Sequence, residues 1–221
     1  HLAVMMVVFV LSSLYAIPYF RHEPEQHVLK RKSARRFAAL WYGALGAMTM
    51  VLLSNNLGVM WVGVEATTLL TAFLICLHVS PLSLEATWKY LIVCSVGVAF
   101  AFMGVLLVAA SVGQASADPH LLHWTRMRQI AGTLDPRLLK MAFIFLFVGY
   151  GTKAGLAPMH SWLPDAHSQA PAPVSAVFSG FMLNMALYCI MRYVPLVEAA
   201  TGGSAWTSGL FVVFGLMSIM I

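Results

Sequence analysis

A lysine stands near the end of a long apolar run, and residues that break helices follow it at once. Residues 149–171 read GYGTKAGLAPMHSWLPDAHSQAP and close an apolar run that begins at Leu138. Lys153 lies ~22 Å along that run at 1.5 Å per residue, with Gly155 and Pro158 just after it. Proline has no N–H and its ring crowds the carbonyl four residues back, so the helix is expected to break beyond the lysine. Backbone in contact with lipid cannot stay unpaired, so a broken membrane helix must sit inside protein or line a wet cavity. A charge beside such a break is how transporters build ion sites at membrane depth.

Glu65 offers the opposite charge. It sits roughly 12 Å from one end of its own apolar run and roughly 21 Å from the other. A charge at that depth costs about 2.5–3.5 kcal/mol on insertion scales, which marks it as functional. Thr68 lies one turn along on the same face and Gly58 about two turns back, a small, polar stripe suited to close helix contact. Desolvation disfavours an unpaired ammonium and a nearby carboxylate restores it, so Glu65 and Lys153 are natural partners. Moving a proton on or off either group changes the energy of such a pair strongly, which is the property a proton relay needs. The plain alternatives are a protonated Glu65 bonded to a neighbouring helix, or a static ion pair that joins two helices.

The remaining polar residues are less specific. Lys89 follows Glu85 by four residues near a helix start, so an ordinary i,i+4 pair explains it as well as a functional role. His160, Asp165 and His167 invite a metal reading, but HSWLPDAH lacks the i,i+4 histidine spacing of a zinc helix and contains Pro164. Capping and loop hydrogen bonds are expected there, with His160 and His167 as candidates for proton uptake. Haem needs paired histidines deep in two spans, and the sequence has none. Cys76, Cys94 and Cys189 are isolated in apolar segments, which suggests neither disulfides nor iron–sulfur ligation. No metal or cofactor is therefore expected.

These groups must be positioned by membrane helices. Of 221 residues, 60% are hydrophobic and 10% charged, whereas soluble domains carry about 25% charged residues. The net charge of +5 is concentrated between apolar runs, which excludes a nucleic-acid footprint. The expected fold class is all-α: a polytopic transmembrane helix bundle with a discontinuous helix. Spans are read at 1–20, 37–54, 57–79, 86–113, 138–162 (broken) and from Pro173 to near Tyr193, with a seventh after the Gly/Ser-rich residues 201–208. Segment 121–130 reads as a short interfacial helix. Segment 21–36 (RHEPEQHVLKRKSARR) carries six basic and two acidic side chains, so it is expected on the cytoplasmic side. The first residue is His and the last lies inside an apolar run, so the sequence reads as a fragment of a longer protein.

GTKAGLAPMHSWLPDAHSQAPAPVSA resembles the broken-helix signature of the antiporter-like membrane subunits of respiratory complex I, Mrp-type cation/proton antiporters and membrane-bound hydrogenases. SNNLGVMWVGVEATTLLTAFLI is similar to that family's glutamate-bearing span, and LEATWKYLIVCSVGVAFAFMG to the span after it. The wording is closest to the hydrogenase-4 and formate-hydrogenlyase group. The resemblance implies roles for Glu65, for Lys153 as the central lysine, and for Lys89 one span after the glutamate. It also implies inverted five-helix repeats: a leading helix and basic loop at 1–36, one repeat at 37–195, and the start of a second at 196–221. Many complex I members carry a lysine where this sequence has Asn184, so the path there would run through an amide and ordered water. The implied function is proton translocation, with Na⁺ as the alternative ion, in a redox-driven complex whose other membrane subunits are the partners. It would lie in the cell (inner) membrane and hold no redox centre. A standalone cation/proton antiporter and a non-pumping hydrogenase scaffold remain open.

Overall fold

The structure is a computed structural model that describes residues 1–21, 31–112 and 121–220. The middle of the basic connection at 21–36 and the first part of the connection after residue 113 lie outside the described residues. The described residues are helical apart from short links and one isolated bridge, Asn56 with His123. The long helices are α1 (Leu2–Arg21), α2 (Arg31–Leu53), α3 (Leu57–Ile75), α4 (Pro81–Ala110), α6 (Pro136–Ala154), α9 (Leu183–Thr201) and α10 (Ala205–Met220). The short ones are α5 (Trp124–Ile130), α7 (Trp162–Gln169) and α8 (Ala172–Val177).

Among the described residues, 5 helices are long and apolar enough to cross a membrane, the last formed by α8 and α9 joined through a π turn at Phe178–Met182. The Lys153-bearing α6 is outside that set because it also carries Arg137 and Lys140 near its start. Successive long helices run antiparallel and gather their ends on two faces. One face holds the Asn55 turn, α5 and the start of α6. The opposite face holds the starts of α2 and α4, the α7 segment and the start of α8.

Several boundaries differ from those read off the hydropathy. The second helix starts at Arg31 rather than Phe37, because Arg and Lys are good helix formers and Arg35 and Arg36 are exposed. SPLSLE is not a loop but a helix start. Ser80 Oγ accepts from the Ser83 N–H at 3.0 Å, Ser83 Oγ accepts from the Ser80 N–H at 2.8 Å, and Pro81 fills the first turn. The sixth span runs past Tyr193 and Pro195 to Thr201, where Gly202 closes it in the left-handed region at φ 76°.

Backbone approach is closest where α4 crosses α6. A Cβ on Gly149 would meet the Ala101 nitrogen at 2.4 Å, and one on Gly104 would meet Leu146 Cγ at 2.5 Å. Small residues let the helix axes close up, and packing then replaces the hydrophobic driving force that lipid cannot supply. Between α2 and α3 the same part is played by Gly63, whose Cβ would meet Val51 Cγ2 at 2.6 Å. Gly58, expected in that role, lies instead in the first turn of α3 beside its capping residue, Asn56.

The two faces make a labelling prediction. Cysteines placed at Ala34 and Val79, both exposed, should react with an impermeant thiol reagent from one side of the membrane, and one at Thr133 only from the other. The excess of basic residues in segment 21–36 makes the cytoplasm the expected identity of that first side. Reaction of Ala34→Cys and Thr133→Cys from the same side would overturn the helix alternation.

Candidate functional site: a buried lysine at a helix break

Lys153 occupies the last turn of α6 and is 0% exposed. The helix ends at Gly155, in the left-handed region at φ 75°, and not at Pro158, which lies in the following link. The Gly155 N–H turns back onto the Gly151 and Thr152 carbonyls, and the Leu156 N–H bonds Gly151 at 2.9 Å. The buried Trp162 indole donates to the Thr152 carbonyl at 2.9 Å, so a side chain from beyond the break satisfies the helix end. The carbonyl end of a helix favours a cation, and the lysine sits there.

The ammonium is held by hydroxyls. Lys153 Nζ donates to Thr68 Oγ1 at 3.0 Å and to the Tyr90 hydroxyl, and lies 4.6 Å from the Tyr90 ring centroid. Thr68 passes its proton to the Val64 carbonyl at 3.2 Å. Thr71 donates to the Thr67 carbonyl at 2.6 Å, which leaves its oxygen to accept from Tyr90 at 2.6 Å. Each hydroxyl therefore points its own proton away from the lysine and offers it an oxygen. Thr67, Thr68, Thr71 and Tyr90 are all buried.

The expected direct pair of Glu65 with Lys153 does not form among the described residues. Thr68 and Tyr90 fill the near positions on Nζ, while the half-buried Glu65 keeps a buried Oε2 without a hydrogen-bond partner among those residues. The two charges remain within Coulombic reach of each other, and of Tyr90 and Cys94. The geometry is thus an acidic and a basic side chain kept apart, with the hydroxyls of Thr68 and Tyr90 on the lysine.

Other candidates fall elsewhere. Lys89 is adjacent to Tyr90 in sequence but points to the surface, its side chain 49% exposed, bonded to Glu85 at 2.8 Å and Asp165 at 2.9 Å. It ties the start of α4 to α7. HSWLPDAH is mostly helical rather than a turn: α7 begins at Trp162 and takes Pro164 in its first turn, where a missing N–H does no harm. His167 Nδ1 pairs with Ser175 Oγ at 2.6 Å, while His160 Nδ1 is buried with no partner among the described residues. No metal-binding group of His, Cys, Asp or Glu is found among the described residues. Asn184 is exposed on α9, its amide donating to the Gly180 carbonyl at 3.2 Å, and is not joined to Lys153.

Tyr90, Thr71 and Trp162 were missed at the level of sequence. A signal for Tyr90 existed: Tyr90, Cys94, Gly97, Ala101 and Gly104 recur at helical spacing and form the buried face of α4. Tyr90→Phe is expected to keep the fold while weakening the hold on the ammonium. A hydrogen bond to a charged group contributes about 1.5 kcal/mol or more, so the proton translocation that the sequence resemblance implies should fall about tenfold. Vesicle acidification by the full-length variant measures it, and an unchanged rate would remove Tyr90 from the site.

Antiparallel apolar helices around a discontinuous helix, with a lysine buried at the discontinuity, define a multi-pass α-helical membrane protein. The chain belongs to the NADH:quinone oxidoreductase/Mrp antiporter transmembrane family, whose pattern matches residues 54–221. It is 38% identical over 213 residues to the Hydrogenase-4 component F homolog of Methylacidiphilum infernorum (isolate V4), covering 95% of this chain and 44% of that protein. It is 27% identical over 218 residues to Hydrogenase-4 component B of Escherichia coli (strain K12), covering 99% of this chain and 30% of that one. The chain thus spans less than half the length of these relatives. Its fold matches a chain of the membrane-bound sulfane sulfur reductase, an archaeal respiratory membrane complex, with TM-score 0.79 and 22% identity over 96% of this chain and 41% of the other.

Proposed function

We propose that this chain forms the first half-channel of an antiporter-like, proton-translocating membrane subunit in a redox-driven complex of hydrogenase-4, formate-hydrogenlyase or NADH–quinone oxidoreductase type. The carrying observation is the buried Lys153 ammonium at the end of a broken helix, bonded to neutral hydroxyls and coupled at a distance to Glu65. A charge held this way has no locked ion-pair partner, so it can gain or lose a proton when the field around it changes. Thr68 and Tyr90 orient the ammonium. Lys89, between Glu85 and Asp165, supplies a charge at the face where α4 and α7 meet. His160 and His167 lie along that segment as groups for proton uptake. Asn184 would act only where the exposed side of α9 meets further protein. The other membrane subunits of the assembly are the partners, and the redox chemistry belongs to them.

The test is redox-driven proton uptake by vesicles holding the full-length complex, with and without Na⁺. Uptake proportional to turnover in Na⁺-free buffer is expected. Turnover without uptake would identify a scaffold, and uptake that requires Na⁺ would identify an exchanger.

A further inference from the structure

Arg192 is a second cation within the bundle, half-buried on α9, and the relay described above does not use it. It sits on α9 at the Asn55 face. Its guanidinium stacks 4.3 Å from the Trp124 ring centroid, donates to the Tyr188 hydroxyl at 3.0 Å and to the Ser54 carbonyl at 3.2 Å. The Trp124 indole in turn donates to the Arg192 carbonyl at 2.6 Å. No carboxylate lies within ion-pair distance of it among the described residues, and its Nε is buried without a hydrogen-bond partner there. The clamp is made of neutral groups from the α2–α3 turn, α5 and α9, so the positive charge is fixed and left unneutralised.

Between Arg192 and Lys153 stand two buried phenols. Tyr150 lies one turn before Lys153 on the same face of α6, and Tyr193 follows Arg192 on α9. Their ring centroids stack 6.3 Å apart, and both side chains are buried. Side chains lean toward the N-terminus of their own helix. Because α6 and α9 are antiparallel, Tyr150 leans toward the Asn55 face and Tyr193 away from it, and the two meet. Tyr193 in turn lies within the field of Arg192. Tyr150 and Tyr193 are thus the polar side chains of the α6–α9 contact on the way from Lys153 to the Asn55 face.

We infer that Arg192 is an electrostatic barrier that closes the Asn55 side of the Lys153 site to protons. A fixed cation beside a narrow polar route repels an incoming proton, as arginines do in pores that exclude protons and cations. The proton then enters and leaves Lys153 only from the opposite side or across the bundle. This reading deepens the proposed relay and rests on it for the role of Lys153.

The experiment uses the full-length protein in its complex, reconstituted in liposomes with a pH dye inside. Passive proton flux is driven by a valinomycin potassium potential, without redox turnover, so it is read even where pumping fails. Arg192→Gln is expected to raise the flux about tenfold, and adding Tyr193→Phe or Lys153→Ala should return it to the wild-type level. Arg192→Lys should stay tight, because it keeps the charge although it loses the stacked, forked geometry. Should Arg192→Gln not assemble, Arg192→Met keeps an unbranched stem against the Trp124 ring without the charge and should leak as well. Wild-type flux in both neutralised variants overturns the barrier, as does an equal leak in Arg192→Lys. Leak that survives Lys153→Ala overturns the placement of the route.

Discussion

Replacing Lys153 by alanine is expected to lower proton translocation per turnover by about 100-fold, the scale on which a positioned proton-transfer group contributes. The complex should still assemble, because Thr68 and Tyr90 keep the acceptors for their own protons, the Val64 carbonyl and Thr71. Glu65→Gln should be as severe, since it removes the charge to which the ammonium responds. The double variant should be little worse than either single one, because the groups act as a unit. Lys153→Arg separates transport from architecture. Arginine keeps the charge but does not release its proton at any physiological pH, so a structural ion pair would tolerate it and a relay would stop. Proton translocation per electron in membrane vesicles is the measurement. Wild-type pumping by Lys153→Arg would end the relay proposal.

Gly149→Val should be as damaging for a different reason. The first added carbon would stand 2.4 Å from the Ala101 nitrogen, 2.6 Å from the Gly97 carbonyl and 2.7 Å from the Ala101 side chain. Two of these atoms are helix backbone and cannot rotate away, so α4 and α6 must separate. Overpacking of this kind costs about 1–3 kcal/mol, and a clash with fixed backbone puts this one at the upper end, about 3 kcal/mol. Separation would also withdraw Lys153 on α6 from Tyr90 on α4, so assembly and pumping should fall together. Gly46→Ala is the control, because open space surrounds a Cβ there. Thermal stability of the detergent-solubilised complex reads both variants, and equal midpoints would show that the α4–α6 crossing relaxes at no cost.

Much of this was legible in the sequence because the membrane makes local rules strict. Hydrocarbon demands long apolar helices, which revealed the spans, and it penalises charge, which singled out Glu65 and Lys153. The break after Lys153 was legible too, but the proline argument put it at Pro158, whereas α6 ends earlier, at Gly155, which accepts the left-handed backbone there. Helix ends were harder. Ser80–Ser83 capping extends α4 into a segment that hydropathy assigns to a loop, because hydrogen bonds rather than apolarity decide where a helix begins. What the sequence could not give was the partnership between charges. Opposite charges that both lie at membrane depth make Glu65 and Lys153 natural partners on paper, because a carboxylate offsets the desolvation of the ammonium. Whether they touch depends on which residues the α4–α6 crossing brings alongside Nζ, and it brings Tyr90, while α3 presents Thr68. Lys89 and Tyr90 show the same division. They are neighbours in the chain, yet about 100° of helical rotation puts one at the surface with Glu85 and Asp165 and the other at the centre of the site. Depth and charge are properties of the chain, and contact is a property of helix packing.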